Sequence, residues 1–251
     1  MPADDPVAAG SPSAAGSDLA IIVALGVERA TLQPHLARRA ARISLHQSGP
    51  GEARAATAAR AALARGATAL ISWGLAGALE PGLDPGTVLL PKEVLARSGT
   101  VFRSDALWHA NLHAALHAEF VLEERALLGV SDVLSGRERK THAAGTTGAV
   151  GVDMESAAIA EAAQLGGARF VALRVIFDAH ADLLPPHADR WIDERGNRRI
   201  AAAIDAALTP ADWPALWILG QRYRTARRVL DRLARRLLPT DFFLPASADS
   251  A

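Results

Sequence analysis

Four short and mostly apolar runs constrain the fold of this 251-residue chain more than any other feature. Such runs are typical of strands that are buried on both faces of a sheet. They are 19–25, 69–73, 87–91 and 170–176, with 130–134 as a further candidate strand. Segments with a helical pattern lie between them, at 53–65, 105–118 and 153–165. Alternating strands and helices predict an α/β fold with helices on both sides of the sheet and ligands at the carboxyl ends of its strands.

Composition narrows the function classes. Basic and acidic residues balance at 27 each, so the net charge gives no overall attraction to nucleic acid. The absence of cysteine excludes disulfides, thiolate metal sites and cysteine nucleophiles. Residues 1–18 are small, polar and rich in proline and glycine, which predicts a disordered tail rather than an export signal. No apolar run reaches the length of a bilayer span. We expect a cytoplasmic protein, because residues 1–18 lack the features of an export signal and the lack of cysteine is compatible with a reducing compartment.

Glu155 is a candidate binding residue because it lies at the predicted start of a helix, directly after the glycine-rich and presumed flexible run 145–151. Free backbone N–H groups and the helix dipole at such a position favour an ionised carboxylate. An ionised carboxylate can accept hydrogen bonds from sugar hydroxyls. Periodicity alone favours a plainer interpretation, an alanine-rich helix with an acidic first turn.

Asp178 follows a predicted buried strand, where open α/β sheets place their ligand-binding groups. A carboxylic acid there can act as a general acid if its surroundings raise its pKa. An ordinary turn aspartate fits the local pattern equally well.

Three segments together resemble the nucleoside phosphorylase/nucleosidase superfamily. Residues 152–158, Val-Asp-Met-Glu-Ser-Ala-Ala, resemble its ribose-binding motif. Residues 74–88 resemble its Gly-Ser/Thr-Ala-Gly-Gly-Leu…Gly-Asp-Val pattern, and residues 174–178, Arg-Val-Ile-Phe-Asp, resemble its Arg-x-x-Ser-Asp segment. The resemblance implies an α/β, three-layer phosphorylase/hydrolase-like fold with a central mixed, largely parallel sheet flanked by helices.

The resemblance also implies roles for individual residues. Glu155 would hold the ribose hydroxyls, Met154 would pack on the nucleoside, and Asp178 would protonate N7 of a departing adenine. The remaining substrate contacts are expected from Val152, Gly74, Leu75, Ala76, Gly77 and Phe177. Leu75 and Phe177 replace hydroxyl residues that are usual in the superfamily.

The first loop is compatible with either water or phosphate as the nucleophile. Glu28 matches a glutamate that activates water in nucleosidases, and Arg29 matches an arginine that holds phosphate in phosphorylases. No second cation precedes Gly74, and a single arginine offers few charged donors for a doubly charged anion. We therefore favour hydrolysis with Glu28 as the base and keep phosphate as a possible co-substrate. We expect no other cofactor.

Histidines 109, 113 and 117 share one helix face at a spacing that metal ligands use. No carboxylate or clearly placed fourth ligand accompanies them, so we expect a partly exposed helix face and no metal.

Residues 213–238 predict a long amphipathic helix with an arginine-rich face. Its apolar positions are Leu216, Leu219, Tyr223, Ala226, Leu230, Leu233 and Leu237. The pattern fits a helix on an anionic membrane surface, with Trp213 and Trp217 near the interface, or a helix packed on the domain with solvated arginines. The pattern alone slightly favours packing on the domain.

The first loop, residues 73–77 (Trp-Gly-Leu-Ala-Gly), residues 147–156 and the leucine- and arginine-rich C-terminal segment resemble the hopanoid-associated branch of the superfamily, which removes adenine from adenosylhopane. This predicts a tail at 1–18, a catalytic domain at 19–212 and a basic amphipathic segment at 213–251, with peripheral membrane contact at the cytoplasmic face left open. The superfamily also implies a homodimer or higher oligomer. The alternatives are a methylthioadenosine/S-adenosylhomocysteine nucleosidase and an inactive nucleoside- or lipid-binding homologue.

Overall fold

The computed structural model describes residues 18–36, 42–182, 193–197 and 213–240, with side chains from 217 onward in the last range. Of the predicted disordered tail 1–18, residues 1–17 lie outside the described residues, as does the C-terminal tail from 241. So do the side chains of Trp213 and Leu216. Asp18 is described, and its side chain accepts a hydrogen bond from Arg42 Nε at 2.7 Å.

The described residues form ten strands and six helices. The strands are β1 (Leu19–Val23), β2 (Ile43–Gln47), β3 (Ala69–Ala78), β4 (Val88–Leu89), β5 (Glu93–Leu95), β6 (Val101–Arg103), β7 (Leu122–Glu123), β8 (Leu127–Gly129), β9 (Gly151–Asp153) and β10 (Arg169–Asp178). The helices are α1 (Gly26–Leu36), α2 (Glu52–Ala64), α3 (Ala106–Leu116), α4 (Arg137–Thr147), α5 (Ser156–Leu165) and α6 (Trp213–Leu237).

One mixed sheet contains all ten strands, and β3 is at its centre. β3 runs parallel to β10 on one side. On its other side it pairs with β1 as far as Ser72, and then with the antiparallel strand β9 from Gly77. The strand order β6-β5-β8-β9-β3-β10-β4-β7 continues outward from this centre, and β2 pairs with β1.

Alternating strand residues send their side chains into two separate cores. Ile21, Ile71 and Val171 pack on one face with α1, α3 and α6. Ala20, Leu70 and the other alternate positions pack on the opposite face with the alanine-rich helices α2 and α5. Helices therefore cover both faces of the sheet, and the molecule has three layers. The small alanine side chains of α2 and α5 let these two helices approach the sheet closely. The predicted fold class is confirmed.

Three local predictions are wrong. Residues 130–134 do not form a strand; the strand here is β8, which ends at Gly129. Residues 145–147 belong to α4 rather than to a flexible run. Residues 151–153 form β9, so the following helix begins at Ser156 rather than at 153. All three errors concern segments whose apolar pattern is only a few residues long.

Helix α6 belongs to the core over its second half. Leu230, Leu233 and Leu237 are buried against α1 and β10. Its first half is more exposed, and Trp217 retains 67% of its accessible surface. The apolar stripe therefore packs on the domain along most of its described length. Within the described residues, no helix combines the length and the apolar character that crossing a bilayer requires.

Candidate active site

The predicted site residues come together because three neighbouring strands carry them at one level of the sheet. Gly77 of β3 pairs with Val152 of β9 on one side and with Asp178 of β10 on the other. A bulge at Phe177 shifts the register so that Asp178 lies opposite Gly77. The glycine segment, the ribose-binding motif and the candidate acid therefore meet at the carboxyl end of β3.

Glu28 reaches the same strand through a gap in its pairing. β1 stops pairing with β3 at Ser72 and β9 begins at Gly77, so the backbone in between is open to side chains. Leu75 N donates a hydrogen bond to Glu28 Oε1 at 2.9 Å, and Ala24 N and Leu25 N donate to Oε2 at 2.9 Å each. The carboxyl group of Glu28 is thus fixed beside the glycine segment by three backbone donors. Burial is the main cause that raises its pKa, with Arg174 opposing.

Arg174 is the centre of a buried polar group that we call the arginine cluster: Arg174, Asp153, Glu155, Glu28, Ser72 and Ser156. Arg174 Nη2 lies 2.7 Å from Asp153 Oδ2 and 3.5 Å from Glu155 Oε2, and it donates to Ser72 Oγ at 2.7 Å. Arg174 Nε donates to Ser156 Oγ at 3.1 Å. Arg174 Nη1 is buried and has no hydrogen-bond partner. One guanidinium therefore serves three carboxyl groups and keeps one donor free.

Contrary to the sequence prediction, Glu155 does not lie in the first turn of a helix. It precedes α5, is buried, and accepts a hydrogen bond from Gly51 N at 2.9 Å. Asp153 caps the helix instead, because its Oδ1 accepts from Ser156 N at 3.2 Å. Burial is the largest influence on Glu155 and raises its pKa to about 7, although Arg174 opposes the shift. Glu155 therefore holds a proton more readily than the helix-start position predicts.

Asp178 is held by a residue that the sequence analysis missed. Lys140 of α4 is 0% exposed, and its Nζ donates to Asp178 Oδ2 and, at 2.8 Å, to the carbonyl oxygen of Ala179. Asp178 is itself only 5% exposed. Burial raises the pKa of Asp178, and the ammonium group of Lys140 partly opposes that rise. We call Lys140 and Asp178 the lysine pair.

The glycines of β3 leave room for these charged groups. A Cβ atom at Gly74 would overlap Glu28 Oε1 and lie 2.5 Å from Arg174 Nη1. A Cβ atom at Gly77 would lie 2.8 Å from Asp178 Oδ1 and 3.3 Å from Val152 Cγ1. Contacts this short are not tolerated, so any larger residue would displace the acid or the base.

The other predicted residues lie nearby but face different surroundings. Leu75 is half-buried, and its side chain packs on the core that contains α1, α3 and α6. Phe177 packs on the same core and makes an edge contact with the ring of Tyr223 at 6.5 Å. Ala76 is buried on the opposite face, and Met154 is half-buried at the turn before α5. Arg29 Nη1 donates to the carbonyl oxygen of Leu45 at 3.4 Å, away from Glu28.

The three histidines, His109 and His113 of α3 and His117 at its C-terminal cap, do not converge on one point. His109 is buried and its Nε2 lies 2.8 Å from the carbonyl oxygen of Leu90, while the rings of His113 and His117 stack on each other. In the part of the chain that the structure describes, no group of three histidine, aspartate or glutamate residues is arranged to hold a metal ion.

Lys140 has a weak signal in the sequence. The chain contains two lysines against 25 arginines, so a lysine is itself an unusual choice here. Its burial could not be inferred, because α4 is polar and exposed at most positions and lysine is almost never fully buried without a partner.

A family model described as the phosphorylase superfamily matches residues 27–209, and the chain belongs to that superfamily. No curated protein matches the chain by sequence.

Solved structures confirm the fold. The 5'-methylthioadenosine/S-adenosylhomocysteine nucleosidase from Neisseria meningitidis is 19% identical with a TM-score of 0.66, covering 88% of this chain and 99% of its own. Futalosine hydrolase of Helicobacter pylori is 16% identical with a TM-score of 0.64, covering 88% and 98%. S-adenosylhomocysteine nucleosidase from Streptococcus pyogenes is 21% identical with a TM-score of 0.60, covering 66% and 86%.

Proposed function

We propose that this protein hydrolyses the N-glycosidic bond of an adenine nucleoside that carries a substituent at its 5′ carbon. The observation that carries the proposal is the convergence of two buried carboxyl groups, Glu28 and Asp178, on the glycine segment of β3. Glu155 lies in the same buried group as Glu28, in reach of a ribose.

Each carboxyl group has one role in the proposed reaction. Asp178 gives its proton to N7 of the base while the electron pair of the C1′–N9 bond moves onto the base. Glu28 takes a proton from water as the water oxygen bonds to C1′. Glu155 accepts hydrogen bonds from the ribose hydroxyls. Burial raises the pKa of Asp178 and so helps it to hold a proton before the reaction. Burial raises the pKa of Glu28 as well, and the guanidinium group of Arg174 opposes that rise, which favours the ionised form that a base requires.

Water is favoured over phosphate as the nucleophile because the first loop has few donors left for an anion. Ala24 N and Leu25 N donate to Glu28, and Gly26 N donates to the carbonyl oxygen of Gly196 at 2.9 Å. Arg29 is directed towards β2. A buried carboxyl group at this position also repels phosphate. Arg174 Nη1 is the free donor beside Glu28 and can hold the attacking water.

We further propose adenosylhopane as the substrate, by the resemblance described above. The first half of α6 supports an apolar 5′ group near the acid. The loop after Asp178 is tied to this helix by an ion pair between Asp182 and Arg222, and Phe177 contacts Tyr223. Trp217 and Ile218 are exposed about one turn before Arg222. This surface suits a lipid-bearing nucleoside at a membrane.

The nucleosidases among the structural neighbours favour a second candidate, hydrolysis of methylthioadenosine or S-adenosylhomocysteine. The third is an inactive binding protein. Adenine release should be measured from adenosylhopane in vesicles and from methylthioadenosine, each with and without phosphate. Faster adenine release from adenosylhopane than from methylthioadenosine, at the same rate with and without phosphate, supports the proposal. Faster release from methylthioadenosine supports the second candidate.

Two variants test the assignment of the carboxyl groups. Asp178→Asn and Glu28→Gln should each lower kcat about 100-fold or more, because each removes a proton-transfer group. Exposed Asp132→Asn and Glu161→Gln are the matched controls and should keep wild-type rates. Absence of adenine release from every nucleoside by the folded wild-type protein would show that the chain is a binding homologue.

Oligomeric state, location and membrane contact are further parts of the proposal. We propose a homodimer or larger assembly in the cytoplasm, with peripheral membrane contact through the first half of α6. Sedimentation and vesicle flotation, with Trp217→Ser for comparison, test these two points.

A further inference from the structure

The acid side of the site contains a lysine that the proposed reaction does not yet use. Lys140 is fully buried, which is costly for an ammonium group unless it is paired and hydrogen-bonded. Its Nζ donates to Asp178 Oδ2 and to the carbonyl oxygen of Ala179, the next residue. The neighbouring Thr141 bonds through Oγ1 to His180 Nε2 at 2.8 Å. Two consecutive residues of α4 thus hold the segment 178–180.

The two oxygens of Asp178 have different surroundings. Oδ2 is occupied by Lys140, whereas Oδ1 is the nearer oxygen to Gly77, whose missing side chain leaves space above the strand. A carboxyl group that is held by one oxygen presents the other in a fixed direction. Phe177 has no hydroxyl group that could orient the acid, and its ring packs against the core and Tyr223.

We propose that Lys140 is the positioning residue of the general acid: it holds Asp178 Oδ2, directs Oδ1 towards the base, and stabilises the carboxylate that remains after the proton has left. The inference rests on the proposed function. In the step concerned, the Oδ1–H bond breaks, the N7–H bond forms, and the electron pair of the C1′–N9 bond goes to the base. Asp178 then carries a negative charge in contact with the ammonium group of Lys140.

This role makes a specific prediction about proton transfer. Lys140→Met should lower kcat about 10- to 100-fold with a smaller change in KM, because the substrate still binds but its leaving group is protonated less well. Without the ammonium group of Lys140 the pKa of Asp178 rises, and Arg222 of α6 is then the remaining cation that opposes the rise. Activity requires the protonated form of Asp178. The alkaline limb of the pH–kcat profile should therefore move to higher pH by about one unit or more. Lys140→Arg should keep that limb in place.

A leaving group that needs no proton separates this role from a purely structural one. With p-nitrophenyl β-D-ribofuranoside, Lys140→Met and Asp178→Asn should lose at most a few-fold in rate, whereas Glu28→Gln should lose about as much as with the adenine nucleoside. Lys92→Met, at the other and exposed lysine, is the matched control. If Lys140→Met does not fold, Lys140→Gln replaces it. Equal losses on both substrates, or an unmoved alkaline limb, would overturn the inference.

A measurement without turnover keeps the two proposals distinguishable. The carboxyl carbon of Asp178 can be labelled with ¹³C, assigned with Asp178→Asn and titrated by NMR. We expect the midpoint to rise in Lys140→Met, and an unchanged midpoint rules out the contact as a determinant of the acid. A wild-type protein that releases no adenine refutes the proposed function, while this titration still decides the role of Lys140.

Discussion

The arginine cluster and the lysine pair solve the problem of buried charge in opposite ways. Arg174 faces three carboxyl groups, so the cation is outnumbered and at least one carboxyl group holds a proton more readily than usual. Asp178 is paired with Lys140, and Arg222 is a second cation that acts on the same acid. The difference teaches that the number of cations beside a buried carboxyl group determines how far the effect of burial on its pKa is opposed.

The largest expected difference between the two regions is in stability. Arg174→Met should lower the free energy of unfolding by about 3–5 kcal/mol, because it leaves several carboxyl groups and two serine hydroxyls without their shared donor. Lys140→Met should cost less, about 1–3 kcal/mol, because Asp178 can take up a proton when its partner is gone. Urea denaturation at pH 7 measures both. A larger loss at Lys140 would reverse our comparison.

The next difference concerns pH. The pKa of Glu155 is about 7 in the folded protein against 4.5 as the ordinary value, so the folded state binds the extra proton between these limits. Stability from this group is therefore complete below about pH 4.5 and is lost as the pH rises through 7, by roughly 3 kcal/mol at most. Glu155→Gln should flatten this decline in urea denaturation between pH 5 and 8. A variant with the same decline as the wild type would show that another group is responsible.

The smallest expected effect isolates one hydrogen-bond acceptor of the arginine cluster. Ser72→Ala removes the oxygen that accepts from Arg174 Nη2 and from Ser156 Oγ, and should cost about 1–2 kcal/mol. Exposed Ser98→Ala, which loses only solvent-exposed bonds to Thr100 Oγ1 and Thr100 N, is the control and should change stability by less than about 0.5 kcal/mol. Equal effects of the two variants would mean that Ser72 does not support the cluster.

The parts of the fold that sequence predicted are those with long, regular patterns. The runs at 19–25, 69–73 and 170–176 became β1, β3 and β10, and the alanine-rich and amphipathic segments became α2, α5 and α6. Helix α4 was missed because it has one buried residue and no apolar face. The short strands β8 and β9 were missed or displaced because pairing with neighbours, rather than local pattern, determines them.

The candidate site was predictable in its members but not in their electrostatics. Asp178, Glu28 and Glu155 were chosen from position and motif. The structure brings Glu28 and Asp178 to β3 and Glu155 to Arg174 of the neighbouring strand β10. The pairing of Lys140 with Asp178 depends on a contact across 38 positions of sequence, which no local pattern encodes. The pKa of Glu155 depends on burial that a helix start does not reveal.

The bulge in β10 has a consequence for how this site can change over time. The inserted residue, Phe177, lets position 178 serve the reaction while position 177 fills space against α6. Positions 177 and 178 therefore meet different requirements, and a substitution at one need not change the other. A lineage can exchange a hydroxyl for an aromatic ring at 177 and still inherit the acid, provided that another side chain supplies the lost hydrogen bond.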